Sequence, residues 1–210
     1  MNLYLVRHGQ TPASRENRFS GRIDPPLTDA GHAMAEALAE AYGRLPWAAV
    51  YCSPLLRTRQ TAEPLCRRAG VEPVMEPGLR EIDYGEWDGM LQDEVKARWP
   101  EAFAYWAADV ASRGAPGGET AFDVAGRAMA VVERIRTRHR EGNVLIVSHK
   151  ATLRIIACAL LGLDVRLFRE RIAQPVAAVS EFEIRPGGPL LKRLGDRSHL
   201  SEELRTLQGT

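Results

Sequence analysis

Two histidines, two arginines and a glutamate have the types and placement to handle a phosphoryl group. Arg7 and His8 end the apolar run Leu3–Val6 and are followed at once by Gly9. His149 ends a second apolar run, Val144-Leu145-Ile146-Val147, after Ser148. Arg57 falls in the first turn of a helix expected after Ser53-Pro54, where backbone N–H groups favour anions. A guanidinium presents a planar fork to phosphate oxygens and keeps its proton. A neutral imidazole is a competent nucleophile near neutral pH, and a second imidazole, if charged, can stabilise developing negative charge. The departing oxygen needs a proton, and Glu81 in Leu79-Arg80-Glu81-Ile82 is the best-placed donor.

These groups need strands that deliver them to one edge. Leu3–Val6, Ala48–Cys52 and Val144–Val147 read as strands buried on both faces. Thr28 is expected to cap a helix carrying Ala30, Met34, Ala37, Leu38 and Ala41. Ser53 is expected as the cap, and Pro54 as the first residue, of a helix stopping at Gly70. Thr120 opens a long helix, and Leu153–Leu161 reads as another that stops at Gly162. Glu72–Met75 suits only a sheet edge, because Pro73 lacks an N–H. Val176–Ile184 and Leu190–Leu194 read as weaker, antiparallel, peripheral strands, and the polar tail from Gly195 as mobile.

Alternating strands and helices predict an α/β protein, a largely parallel sheet with helices on both faces. Functional groups then gather beyond the carboxyl ends of the strands, which is where Arg7, His8 and His149 fall. Residues 77–118 are irregular and read as an insertion or lid within one domain spanning 1–210, with short helical pieces around Leu91–Trp99 and Ala102–Ala108. Trp87, Trp99 and Trp106 lie there and are expected to serve packing more than ligand contact. His32, His139 and His199 are expected to be ordinary polar residues.

The 210 residues carry Lys+Arg 28 against Asp+Glu 27, a formal net charge of +1. That balance argues against a protein built to wrap nucleic acid, so no nucleic-acid partner is expected. The hydrophobic fraction of 45% fits a globular chain and excludes disorder and collagen-like structure. Cys52, Cys66 and Cys158 form no CxxC pair and are expected as inert buried thiols of a cytoplasmic protein. The first residues lack the pattern of a secretory signal, and no apolar run approaches a membrane span. No metal is expected, since zinc and calcium spacings are missing, and neither a dinucleotide nor a P-loop fingerprint is present.

The stretch Leu5-Val6-Arg7-His8-Gly9-Gln10-Thr11 resembles the signature of the histidine phosphatase superfamily, the phosphoglycerate mutase-like family. The resemblance continues through Asn17–Gly21, Asp24–Gly31, Ser53–Ala62, Leu79–Gly89, Gly117–Thr120 and Val147–His149, in the family's order, over about residues 3–160. It implies a three-layer α/β/α sandwich with a mostly parallel central sheet. It also implies a metal-independent phosphomonoesterase without cofactor, a phosphoric monoester hydrolase of the histidine acid-type. His8 is then implied to attack phosphorus, Arg7, Arg57 and His149 to hold phosphoryl oxygens, and Glu81 to handle the leaving-group proton. Gln10, Thr11, Ser14, Ser20 and Gly21 match positions that face the ligand, and Tyr84 is carried with them.

Two positions depart from the family pattern. Ser14 replaces the more usual asparagine and is shorter. Lys150 stands where glycine is usual, either meeting an extra negative charge on the substrate or pointing to solvent. Within the family, residues 85–118 favour the phosphatase branch over a cofactor-dependent phosphoglycerate mutase. They hold Lys96, Arg98 and Arg113 against six carboxylates, with no Arg-Arg pair. A non-catalytic phospho-ligand-binding protein is the remaining alternative. The expected partner is a small phosphorylated metabolite, and a homodimer is one option for assembly.

Overall fold

The computed structural model describes residues 1–209. Six strands form one sheet in the order β3-β2-β4-β1-β5-β6. They are β1 (Asn2–Arg7), β2 (Trp47–Cys52), β3 (Pro73–Met75), β4 (Asn143–Ser148), β5 (Val179–Arg185) and β6 (Gly188–Asp196). β1, β4, β2 and β3 run parallel, while β5 and β6 add antiparallel on the β1 side. β3, with Pro73, is the edge strand that its proline requires.

Nine helices accompany the sheet among the described residues. They are α1 (Pro12–Arg15), α2 (Asp29–Tyr42), α3 (Leu56–Ala69), α4 (Gln92–Arg98), α5 (Pro100–Ala108), α6 (Ala121–Arg138), α7 (Lys150–Leu161), α8 (Phe168–Arg171) and α9 (Glu202–Thr206). The period-two alternation of the central strands sorts their side chains between two cores. Leu3, Leu5, Tyr51, Val144 and Ile146 pack with α6 and α7. Tyr4, Val6, Val50, Cys52, Leu145 and Val147 face the other way, onto α2 and α3. Burying both faces explains why these strands read as continuous apolar runs, and each large side chain so buried contributes about 1.5–3 kcal/mol.

Thr28 caps α2, accepting the Gly31 N–H at 3.0 Å, and Thr120 caps α6. Gly70 and Gly162 end α3 and α7 in the left-handed conformation, φ 66° and 68°. The expected start of α3 is corrected: its N-cap is Leu55, not Ser53, and Pro54 precedes the helix. The Asp24 carboxylate takes the Leu56 N–H at 2.8 Å, and the Ser53 hydroxyl accepts only the N–H of the N-cap Leu55, at 3.4 Å, from this helix start. α7 begins three residues earlier than its apolar spacing indicates, at Lys150, directly after His149.

The tail from Gly195 is also corrected. It completes β6, forms α9 and buries Leu200 against Met34, Val176 and Ala177. Within 77–118, the Trp87 side chain is fully buried in the main core with Leu79, Ile82 and Val95, so this segment is anchored rather than laid on the surface. Among the described residues no helix is long and apolar enough to cross a membrane.

Candidate active site

The parallel register sets Arg7 beside Ser148, and the His8 N–H donates to the Ser148 carbonyl at 3.1 Å. The Ser53 N–H donates to the Val147 carbonyl at 3.0 Å. The carboxyl ends of β1, β4 and β2 therefore deliver His8, His149 and Ser53 to one spot. The two imidazole rings lie 5.3 Å apart between centroids. Gly9 is required by packing: a Cβ there would sit 2.5 Å from the Gly31 carbonyl oxygen at the start of α2.

His8 Nδ1 lies 2.8 Å from the Gly9 carbonyl oxygen. A carbonyl only accepts, so Nδ1 carries the hydrogen and Nε2 keeps its lone pair. Burial, then Arg57 and Arg7, push the His8 pKa well below its ordinary value. The imidazole is neutral, the form a nucleophile needs.

Arg57 and His149 form a buried unit behind His8. Arg57 Nε donates to His149 Nδ1 at 3.2 Å, so His149 Nε2 carries the hydrogen and donates to Ser53 Oγ at 2.8 Å. His149 is therefore held as a neutral tautomer. Burial and Arg57 likewise hold the His149 pKa far down. The remaining Arg57 nitrogens donate to the carbonyls of Ile23 (2.8 Å), Ser20 (3.1 Å) and Gly21 (3.3 Å). Neither residue belongs to the wall of the cavity described below. To hold a phosphoryl oxygen, either would have to exchange a present partner for it.

Arg7 donates through Nη1 to the Gln174 carbonyl at 3.0 Å, while its buried Nε has no partner. Burial lowers its pKa to about 9, against the opposing pull of Glu81. Glu81 sits on the first turn of α7. Its Oε1 accepts from the N–H groups of Ile82 (2.9 Å) and Thr152 (3.1 Å) and from Thr152 Oγ1 (3.2 Å), and its Oε2 accepts from the Ala151 N–H at 3.1 Å.

Arg127, which the sequence reading did not single out, fixes the segment carrying Glu81. It donates to the carbonyls of Gly78, Arg80 and Glu81 and pairs with Glu119 at 2.8 Å. The local signal was an arginine one residue past Gly126 on an otherwise apolar helix stretch.

A cavity of about 140 Å³ opens in front of His8. Of the expected site residues, Arg7, His8, Thr11, Ser14, Ser20, Glu81, Tyr84 and Lys150 line it. Gln10 and Gly21 do not. The Gln10 amide donates to the Gln208 carbonyl and accepts from Thr28 Oγ1 at 2.9 Å, and the Gly21 N–H is taken by the Asp88 carboxylate.

The Ser14 hydroxyl is engaged with Thr11, accepting its N–H at 2.9 Å and donating to its carbonyl at 3.0 Å. By contrast, Ser20 Oγ is buried without a partner. Burial, then Glu81, raise the Tyr84 phenol above its ordinary range and keep it protonated. Trp106 belongs both to the core and to the cavity wall, with Phe19 edge-on at 5.6 Å. Arg154, Phe168 and Arg169 also belong to the wall and were not expected; they fall in or after α7, where only folding back brings them to the cavity. Among the described residues no three His, Cys, Asp or Glu side chains gather as a metal would require.

The chain is similar to known proteins in sequence and in fold. Residues 3–197 match the family model of the histidine phosphatase superfamily (branch 1). The chain is 36% identical over 168 residues to phosphoserine phosphatase 1 of Hydrogenobacter thermophilus, covering 80% of each chain. It is 34% identical over 171 residues to glucosyl-3-phosphoglycerate phosphatase of Mycolicibacterium vanbaalenii, covering 78% of this chain and 75% of that one. Other relatives are named 2,3-bisphosphoglycerate-dependent phosphoglycerate mutases. The solved structure of Bacillus stearothermophilus YhfR superposes with a TM-score of 0.88 at 31% identity, over 94% of this chain and 98% of that one. The chain is a member of the histidine phosphatase superfamily.

Proposed function

We propose that this protein is a metal-independent phosphomonoesterase that works through a phosphohistidine on His8, on a small phosphorylated metabolite. The observation that carries the reading is the His8 Nδ1 to Gly9 carbonyl bond in a residue of the cavity wall, which leaves a neutral Nε2 free. That lone pair attacks phosphorus; the P–N bond forms as the bond to the ester oxygen breaks. Glu81 supplies the proton to the departing alcohol. Its Oε1 already accepts three hydrogen bonds, so Oε2, with one, is the oxygen that carries the transferable proton. Water then attacks the phosphohistidine and gives its proton to Oε2, and inorganic phosphate leaves with both residues restored.

Arg7 offers its unpartnered Nε to the phosphoryl oxygens. Arg57 and His149 hold the oxygens by exchanging a carbonyl or hydroxyl partner for them, or fix His8 from behind. The test is phosphate release from p-nitrophenyl phosphate. It is expected to survive EDTA, to be inhibited by vanadate and to vanish in His8→Ala.

A mutase is the second reading, favoured by the basic groups Lys150, Arg154 and Arg169 in the cavity wall. Isomerisation of 3-phosphoglycerate, primed with bisphosphoglycerate, outrunning hydrolysis would establish it.

A further inference from the structure

The cavity wall carries more positive charge than one phosphate ester explains. Lys150 is the first residue of α7, and Arg154 follows four residues later on the same helical face. α8 packs on α7 and brings Arg169, whose guanidinium lies 4.9 Å from the centre of the Trp106 ring. All three line the same cavity as Arg7 and His8. Among the described residues, none of the three has a hydrogen-bonding acceptor or carboxylate within ion-pair distance for its side chain. Arg154 Nε is buried with no partner at all. The other charged groups of the wall are Arg7, Glu81 and Arg18, and Arg18 is already paired with Glu16 at 2.7 Å.

Glu81 attracts Lys150 and Arg154, but it is one carboxylate, already bound to the α7 N-terminus, against the three cations and Arg7. Lys150 and Arg154 are half-buried and Arg169 is exposed; gathering like charges with part of their water removed is unfavourable unless something supplies the opposite charge. The cost is visible here: burial, then Arg7 and Arg154, bring the Lys150 ammonium down to about 7, and burial, then Arg169, lower Arg154. A cluster with more cations than the single wall carboxylate can offset is suited to an anionic ligand.

We infer that the substrate carries a second anionic group besides the scissile phosphate, held by Lys150, Arg154 and Arg169. The group is a carboxylate or a second phosphate, since both accept charge-assisted bonds from a guanidinium fork and an ammonium. The body between the two anions rests on Phe19, Trp106 and Phe168. This inference rests on the phosphomonoesterase reading and narrows its substrate class.

The test compares pairs that differ by one anion. 3-Phosphoglycerate against glycerol 3-phosphate isolates a carboxylate, and fructose 1,6-bisphosphate against fructose 6-phosphate isolates a second phosphate. In the intact protein, kcat/KM is expected to favour the richer anion by about tenfold or more in at least one pair. The pair that discriminates identifies the group. In Lys150→Met, Arg154→Met and Arg169→Met that ratio is expected to fall toward one. The ratio is internal to each variant, so a general loss of activity cancels. Ratios near one in the intact protein, or ratios untouched by all three substitutions, overturn the inference. If no ester is hydrolysed, p-nitrophenyl phosphate included, the phosphomonoesterase reading fails by itself. Calorimetric binding of the same pairs then decides the second-anion site by the same ratio.

Discussion

Arg57 Nε donates to His149 Nδ1 at 3.2 Å, joining the first turn of α3 to the residue that precedes α7. Through His149 Nε2 the link reaches Ser53 at the end of β2. Two chain segments far apart in sequence, Ser53–Arg57 and His149, are thereby locked together behind His8.

Arg57→Lys tests that lock. An ammonium cannot donate at once to an imidazole nitrogen and to the carbonyls of Ser20, Gly21 and Ile23. Buried acceptors left without donors cost about 1–3 kcal/mol each. The variant is expected to melt lower and to lose about a hundredfold in kcat/KM. Wild-type kinetics with a lowered melting temperature would confine Arg57 to structure.

Glu81→Gln separates proton delivery from binding. An amide keeps the size of the side chain but has no acidic proton. Alkyl phosphates, whose leaving oxygen needs protonation, are expected to slow by about a hundredfold, and aryl phosphates by much less. Parallel losses on both classes would remove Glu81 from the acid role.

Lys150 predicts a pH dependence in substrate preference. Its ammonium faces Arg7, Arg154, Arg169 and Glu81 and is brought down to about 7. It is charged below that pH and neutral above it. The kcat/KM ratio of 3-phosphoglycerate to glycerol 3-phosphate is therefore expected to decline from about pH 6 to about pH 8.5, and phosphate ionisation, common to both, cancels. Lys150→Arg is expected to hold the ratio constant over the same range. A ratio independent of pH in the unaltered protein would show that Lys150 does not meet the second anion.

His8 and His149 predict acid lability. Folding holds both neutral, with pKa values well below the ordinary 6.5. The unfolded chain takes up two protons that the folded chain refuses. Stability is therefore present above about pH 6.5 and is lost as pH falls below it, by up to about 2.7 kcal/mol per pH unit for two such groups. Denaturant midpoints between about pH 7 and pH 5 measure the slope, and His149→Gln is expected to halve it. Equal slopes in both proteins would mean that His149 charges within the folded state.

What could be read from residue order alone was local. The apolar runs before Arg7-His8 and before Ser148-His149 mark buried parallel strands, and their ends mark the edge where His8 and His149 meet. Glu81 and the caps Thr28 and Thr120 were legible for the same reason, as short patterns of fixed chemistry. Ser53 misled, because its hydroxyl accepts from His149 and from the N–H of the N-cap Leu55, while Asp24, distant in the chain, takes the first helical N–H, that of Leu56. Arg154, Arg169 and Arg127 were silent. Their roles depend on how α6, α7 and α8 pack, and an arginine on a helix has no local pattern that says which cavity it meets.

The most direct measurement is rapid quench of the protein with a phosphate-labelled substrate, followed by peptide mapping of the label. The account predicts an acid-labile, base-stable phosphate on the peptide containing His8, formed and lost at rates compatible with turnover and missing in His8→Ala. Turnover with no label on that peptide, or label retained in His8→Ala, would contradict it.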